Sequence, residues 1–506
     1  MSDDLRQIRL DKLAKLRAAG IHPYPERFPK THSIAAAREL PMGTEVRVAG
    51  RLVANRPGGK LAFFNIQDID AKIQAKVDIG GCGEVAFRQF VDLIDLGDFV
   101  GVEGKLDKTK TGEITVMATK WTFLGKALRP IPKAHFGQKD TELNWRYRYV
   151  DLIANEETRK RFKLRVNLVK SLRRSLEGEG FEEVETPVLC DHPSGALAKP
   201  FKSHHNSLDM EVFMRIAPET YLKRCIVAGY DKVYEFARCF RNEGMDPSHL
   251  QDFTMLEWYA SYWNYEDSMN FTEKFVKQAI KDCVGSLEIK RGENTINFDG
   301  AWPRLRLRDV ILEHSGIDID QYKDAASLKA AIFAKKVELE NPDAGRGSLI
   351  DQLYKKTARR KLIQPTFIVR HPTDLSPLAR MSDDNPNTVD RFQLVVDTWE
   401  VVNAYSELVD PIDQRARLDS QAADHAKGDE EAMMQDEDYL LAMEHGMPPI
   451  SGFGMGIDRV TALLTNAPNL RDVVLFPLMR PLAGPPQLPV DEEPAPAEKK
   501  PAEKKK

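Results

Sequence analysis

Three short runs hold side chains whose types and spacing could handle a phosphoanhydride. In VYEFARCFRNEG (233–244), Arg241 follows a β run and enters a loop, and a second β run, DFTMLEWY, begins at Asp252. Strand, loop and returning strand would aim a guanidinium at a phosphate and lay Phe253, at the loop exit, against a purine. In GFGMGIDRV (452–460), glycines 452, 454 and 456 precede Arg459. Gly454 and Gly456 alternate on a strand-like run, so a ligand could lie against bare backbone, and the helix start that follows favours anions. The G-x-G-x-x-G pattern itself fails, because residue 457 is Ile. GFEEVETP (180–187) reads as a helix end at Gly180 and a strand stopped by Pro187. Taken singly, Arg241 reads as a surface ion pair and Phe253 as core. Glu257 is harder to dismiss, since it sits between Leu256 and Trp258 in a run that must face a core.

The elements that must position these residues fall into blocks. The chain has 506 residues, 73 Lys+Arg against 77 Asp+Glu and a net charge of −4, which excludes a wholesale polycation. At roughly 150 residues per domain, about three units are expected, or two if one is large. Residues 1–45 hold a helix over 3–18, with Leu5, Ile8, Leu13 and Leu16 near one face and Arg6, Arg9, Lys12 and Lys15 largely elsewhere. Residues 46–125 give five short β runs separated by glycine-containing breaks, with a helix-prone AFRQFVDLI between the third and fourth. This matches a five-stranded OB-type β-barrel. Residues 126–150 read as a linker. Residues 151–485 alternate amphipathic helices with β runs, an α+β domain on an antiparallel sheet flanked by helices, with a helical insertion at about 320–360. Residues 486–506, rich in Pro, Ala, Glu and Lys, read as a disordered tail. The five cysteines never form C-x-x-C, there is no apolar run of membrane-spanning length, and the start lacks a signal-peptide core. A cytoplasmic protein away from membranes is expected.

Together and in this order, the three runs resemble the signature motifs of class II aminoacyl-tRNA synthetases. GFEEVETP looks like motif 1, FRNEG…FTMLEWY like motif 2 and GFGMGIDR like motif 3. A barrel ahead of the catalytic domain is the arrangement of the aspartate, asparagine and lysine subgroup. RIAPETYLKR (215–224), HPSGALAKPF (192–201), RYRYVDLI (146–153), SPLAR (376–380) and NAYSEL (403–408) are similar to lysyl-tRNA synthetase, and the likeness runs from the first helix to Pro481.

The resemblance implies activation of L-lysine by ATP and transfer to lysine tRNA, by a homodimer using Mg²⁺. It implies that Glu257 and Glu407 take the ε-ammonium, that Tyr259, Asn403 and Tyr405 line the site, and that Glu219 takes the α-amine beside Ala217 with Gly195 closing over. Arg241 would meet the lysine carboxylate and the α-phosphate, and Arg459 the γ-phosphate side. Phe253 would stack on adenine near Glu243 and His249, and Glu400 would hold the metal, with Gln393 at the second ligand position. Arg241 and Arg459 would stabilise charge in the transition state. In the barrel, Phe63 and Gln74 stand where the subgroup stacks and reads the central anticodon uridine, with Arg56 as a further contact. Phe63 and Phe64 are adjacent, so one of the two should be exposed.

The motif 2 loop departs from the family. It reads Ser248-His249-Leu250-Gln251-Asp252-Phe253, where an arginine and an asparagine are usual in place of Ser248 and Leu250, and Gln393 replaces a carboxylate. Ser194 and Lys199 are milder departures. Two rival readings remain: a paralogue lysylating another acceptor, and a catalytically silent nucleic-acid-binding or regulatory protein on the same scaffold.

Overall fold

The computed structural model describes residues 2–131, 141–196, 198–426 and 435–482. The expected tail at 486–506 and residues 132–140 of the expected linker lie outside the described residues. Two compact units emerge, one within Met1–Lys163 together with Phe476–Lys506, the other within Leu164–Leu475.

In the first unit, helix α1 (Ser2–Ala18) precedes strands β1 (Glu45–Pro57), β2 (Leu61–Gln67) and β3 (Lys72–Asp78). Helix α2 (Glu84–Leu93) follows, then β4 (Phe99–Lys108) and β5 (Ile114–Gly125). The strands close a barrel in the order β1-β2-β3-β5-β4. Burial alternates strictly along β2 and β3, so Ala62, Phe64 and Ile66 face the core and their neighbours face outward. Helix α2 plugs the barrel with Phe87 and Phe90, the latter 4.6 Å from the Phe64 ring. The apolar face expected for α1 is corrected. Leu13 and Leu16 are buried, but Leu5 and Ile8 stay exposed and Arg9 is turned inward. Arg9 donates to the carbonyls of Ala127 (2.7 Å), Arg129 (3.0 Å) and Leu96 (3.1 Å), acceptors that would otherwise be left bare. The expected linker is partly helical: α3 (Thr141–Arg146) and α4 (Arg148–Ala154) form around a buried Arg148–Asp151 pair at 2.7 Å.

Helix α5 (Glu156–Gly178) leads into β6 (Glu182–Glu183), α6 (Glu219–Val227), β7 (Lys232–Phe240), β8 (Asp252–Ser261) and α7 (Tyr265–Val284). Then come β9 (Arg304–Arg306), α8 (Leu307–Ser315), α9 (Ala325–Ala334), α10 (Arg346–Leu353), β10 (Thr366–Pro372), β11 (Thr388–Val396) and β12 (Trp399–Ser406). Helix α11 (Glu437–Glu444), β13 (Ile450–Gly456) and α12 (Ile457–Leu464) complete the second unit. Its eight-stranded sheet has the order β9-β10-β11-β12-β13-β8-β7-β6. Six strands pair antiparallel, as the mixed charged and apolar runs require, while β9 and β6 join the two edges in parallel. The long run RFQLVVDTWEVVNAYSEL is a hairpin, turned at Asp397 and Thr398, both with positive φ. The core under the sheet centres on Trp258, stacked 4.8 Å from Phe453, with Phe275 of α7 beside it. The helical insertion begins earlier than expected, at Leu307. Its apolar faces (Ile311, Leu328, Ile332, Leu349, Leu353) gather on Ile368 and Val395 of the sheet.

Candidate functional site

The centre of the sheet makes one floor. Across β12, β13 and β8, Asn403, Gly454 and Glu257 stand in register, and two residues on so do Tyr405, Gly452 and Tyr259. Period-2 alternation puts both rows on one face, where a glycine column between two walls of side chains opens a cavity of about 360 Å³. Space is forbidden to a side chain at Gly452: a Cβ there would run into Glu407 and Tyr259, whereas at Gly454 it would meet nothing closer than 3.7 Å. The bare backbone anticipated at 454 and 456 is therefore most strictly required at 452.

One end of the cavity is anionic and closed. Glu219, Glu257 and Glu407 are all buried. Tyr405 donates to both oxygens of Glu219 at 3.0 and 3.1 Å, and Tyr259 donates to Glu257 at 3.3 Å. Burial pushes the Glu257 carboxyl up to about 8; Glu219 adds to this and Arg241 opposes it. The neighbouring Glu235, opposite Glu257 on β7, is instead compensated by Arg215 at 2.6 Å and by the Thr186 hydroxyl at 2.6 Å. Asn403 receives Arg391 Nε on Oδ1 at 2.8 Å. A guanidinium only donates, so the amide NH₂ of Asn403 is the group left for the cavity. Gly195, at φ +87°, closes over Glu219 and Ala217, and a Cβ there would press on both side chains.

The other end is cationic and more open. Arg241 lies 5.1 Å from the Phe253 ring centroid. Arg459 donates to the Glu400 carbonyl at 3.0 Å and contacts His249 Nε2 at 3.2 Å. The loop between them is pinned by Asp246, which accepts the Ser248 amide (2.6 Å) and hydroxyl (2.8 Å) and pairs with His249 Nδ1 (2.7 Å). Ser248 thus ties the loop to itself. Leu250 packs on the cluster of Ala462, Ala467 and Leu470, and the Leu470 amide donates to the Pro247 carbonyl at 2.9 Å. An apolar residue at 250 anchors the loop from below.

Arg241, Glu243, His249, Phe253, Glu400 and Arg459 line this end, and Gly195, Ala217, Glu219, Glu257, Tyr259, Asn403, Tyr405 and Glu407 line the remainder of the same cavity. Gln393 is buried in register with Asn403, and its amide donates to Glu400 Oε2 at 3.0 Å, which orients that carboxylate. Among the described residues no group of three or more His, Cys, Asp or Glu could hold a metal. A single carboxylate completed by phosphate oxygens is the arrangement Mg²⁺ accepts at nucleotide sites.

Lys223 was not anticipated. It lies one turn after Glu219 on α6, fully buried, with its ammonium 2.6 Å from Glu219 and 2.5 Å from Glu407. Burial works against its charge, but Glu219 and Glu407 outweigh that and hold it well above the usual lysine range. Its only sequence signal is the i, i+4 spacing from Glu219.

On the barrel, Arg56, Phe63 and Lys76 stand in register across β1, β2 and β3, with Asn65 and Gln74 one step along the same outward face. Phe63 is partly exposed and Phe64 is core. Gln74 accepts the Thr115 hydroxyl at 2.8 Å.

Residues 140–480 match the family described as tRNA synthetases class II (D, K and N), and residues 46–124 match the OB-fold nucleic acid binding domain. A lysine–tRNA ligase of Pelotomaculum thermopropionicum is 43% identical over 483 residues, covering 95% of each chain. One from Carboxydothermus hydrogenoformans is 44% identical over 485 residues, covering 95% of this chain and 98% of its own. With the three motifs on one sheet, a barrel ahead of them and relatives matched almost end to end, this chain belongs to the lysine–tRNA ligase family of class II tRNA synthetases.

Proposed function

We propose that this chain activates L-lysine with ATP and transfers it to lysine tRNA. The observation that carries the reading is one cavity with three buried carboxylates at its closed end and two arginines at its open end. A buried carboxylate cluster is costly unless cations enter it, and lysine brings two ammonium groups. Glu257 and Glu407 are assigned to the ε-ammonium and Glu219 to the α-amine, and Asn403 and Arg241 offer donors to the carboxylate. That carboxylate attacks the α-phosphorus in line, pyrophosphate departs, and the terminal ribose hydroxyl of the tRNA then attacks the adenylate. The protein supplies no nucleophile. Arg241 and Arg459 position the reacting groups and stabilise charge as it develops, each contact being worth about 3–4 kcal/mol if it acts in the transition state. Glu400, oriented by Gln393, would hold Mg²⁺, which would neutralise phosphate charge. The outward face bearing Phe63, Gln74 and Arg56 is assigned to the anticodon.

A homodimer is proposed on the exposed Val166, Val188 and Leu189 of the motif 1 region. Among the described residues no helix is long and apolar enough to cross a membrane, which suits the proposed work on tRNA in the cytoplasm. A catalytically silent scaffold would be expected to lack one of the charged groups above, yet all of them line the cavity. Lysine-dependent ATP–pyrophosphate exchange tests the reading, with Glu407→Gln as its partner. The variant should raise KM for lysine at least tenfold and leave that for ATP nearly unchanged. Exchange independent of lysine would overturn the proposal.

A further inference from the structure

The closed end of the cavity contains more acid than lysine needs. Glu219, Glu257 and Glu407 would together present three negative charges to a substrate with two ammonium groups. Lys223 changes that count. It has no exposed surface and sits behind the carboxylates, so it is no ligand for substrate. Its ammonium is wedged between Glu219 and Glu407, inside a cup of three tyrosine rings, Tyr259, Tyr405 and Tyr439, at 5.8, 6.0 and 5.7 Å. The rings come from three different elements, β8, β12 and α11, and close over Lys223 on a fourth, α6. The cup leaves the ammonium no route to solvent, and the two carboxylates remain its only ionic partners among the described residues.

We propose that Lys223 is a built-in counter-cation that sets the charge of the amino-acid end, cancelling one of three carboxylates so that two remain for the two ammonium groups of a diamino acid. The inference rests on the reading of the cavity as a lysine site. Lys223 acts as a positioning and specificity residue. It holds Glu219 and Glu407 at a fixed separation while the site is empty, and it removes the excess negative charge that would otherwise be relieved by taking up a proton. The internal cation opposes the protonation that burial favours at Glu407, while Glu257 keeps its raised value and gives up its proton as an ammonium enters. The groups facing this cluster are Glu219 and Lys223 on α6, Glu257 and Tyr259 on β8, Glu235 on β7 with Arg241 after it, Arg391 on β11, Tyr405 on β12 with Glu407 just beyond it, and Tyr439 on α11.

The test compares the wild type with Lys223→Met and with the double variant Lys223→Met/Glu219→Gln, which removes one charge of each sign. Calorimetry measures lysine binding between pH 6 and 8, and the KM for ATP is followed in parallel. In Lys223→Met, lysine affinity at pH 7 should fall at least tenfold. It should also depend on pH more steeply than in the wild type, recovering as pH rises, because one further carboxyl must ionise. The KM for ATP should stay within twofold. In the double variant the affinity stays reduced through the lost Glu219 contact, but the extra steepness should vanish. A methionine variant with wild-type lysine affinity and slope would overturn the proposal, as would a double variant that keeps the added slope. Should Lys223→Met fail to fold, folding of the double variant would itself support compensation. Failure of both would mark Lys223 as a scaffold residue and end the proposal. Absence of lysine-dependent exchange in the wild type would instead refute the functional reading.

Discussion

Arg459 and His249 meet at 3.2 Å through the guanidinium and Nε2, and that contact fixes the histidine's tautomer. A guanidinium has no lone pair to offer, so Nε2 accepts and the ring proton sits on Nδ1, facing Asp246 Oδ2 at 2.7 Å. Donation therefore runs from Arg459, at the cationic end of the cavity, through His249 to the Asp246 carboxylate. Removing the ring breaks a hydrogen bond to a charged group, worth about 1.5–3 kcal/mol. His249→Ala should raise KM for ATP about 10- to 100-fold and leave lysine binding unchanged; steady-state exchange with each substrate varied shows whether the loss is confined to ATP.

Ser248 spends its hydroxyl and amide on Asp246 and gives the triphosphate no cation. Binding should lean correspondingly on Arg459 and on divalent metal. Ser248→Arg should lower the Mg²⁺ concentration needed for half-maximal exchange. Identical ATP and Mg²⁺ titrations in the two proteins would dismiss a role for this position.

The Glu257 carboxyl, raised to about 8 by burial, binds its proton more tightly in the folded site than it would in an unfolded chain. Between the ordinary carboxylate range and about 8, the empty protein therefore loses stability as pH rises, and an entering ammonium recovers it. Lysine affinity should rise from pH 6 to pH 8, by no more than tenfold per unit for this one proton. The upward shift of Tm caused by saturating lysine should be larger at pH 8 than at pH 6. Glu257→Gln should bind lysine weakly and flatten this component.

Gly452 is the position where the floor tolerates no side chain. Gly452→Ala would displace Glu407 and Tyr259, an overpacking cost of about 1–3 kcal/mol. The expected outcome is a lysine KM raised at least tenfold with ATP affected less. Gly454→Ala, which meets only ordinary contacts, should be milder, so the pair of variants discriminates a steric effect at 452 from general sheet damage.

Phe63 offers a partly exposed ring on the outward barrel face while Phe64 is occupied by the core. Base stacking on such a ring is worth about 1–3 kcal/mol. Phe63→Ala should raise KM for tRNA roughly tenfold in aminoacylation and leave ATP–pyrophosphate exchange intact. Loss of exchange in that variant would assign the residue to folding instead.

The β runs of both units were legible because alternation of apolar and polar residues is a local signal, and the motif residues were legible because their order along the chain matches a family. Arg9 was misplaced for a physical reason: periodicity sees an arginine as a solvated residue, whereas here three carbonyls from distant loops need its donors. Lys223 was invisible because its partner Glu407 lies far away in sequence. The hairpin at Asp397 and Thr398 interrupts an otherwise continuous β run with only two polar residues, and that turn is what brings the Gln393 amide onto Glu400.

The glycine column of β13 also determines where the chain can tolerate change in length. One residue added or lost within Ile450–Gly456 would swap parity, driving Phe453 and Met455 into the chamber and carrying the glycines to the packed side. Such an indel would ruin the reaction chamber and the hydrophobic layer in a single stroke. The stretch between Leu307 and Leu362, which gathers its own apolar cluster outside the chamber, is free of that lock. Over evolutionary drift, related chains should therefore vary in length in that stretch and keep Ile450–Gly456 at a constant count.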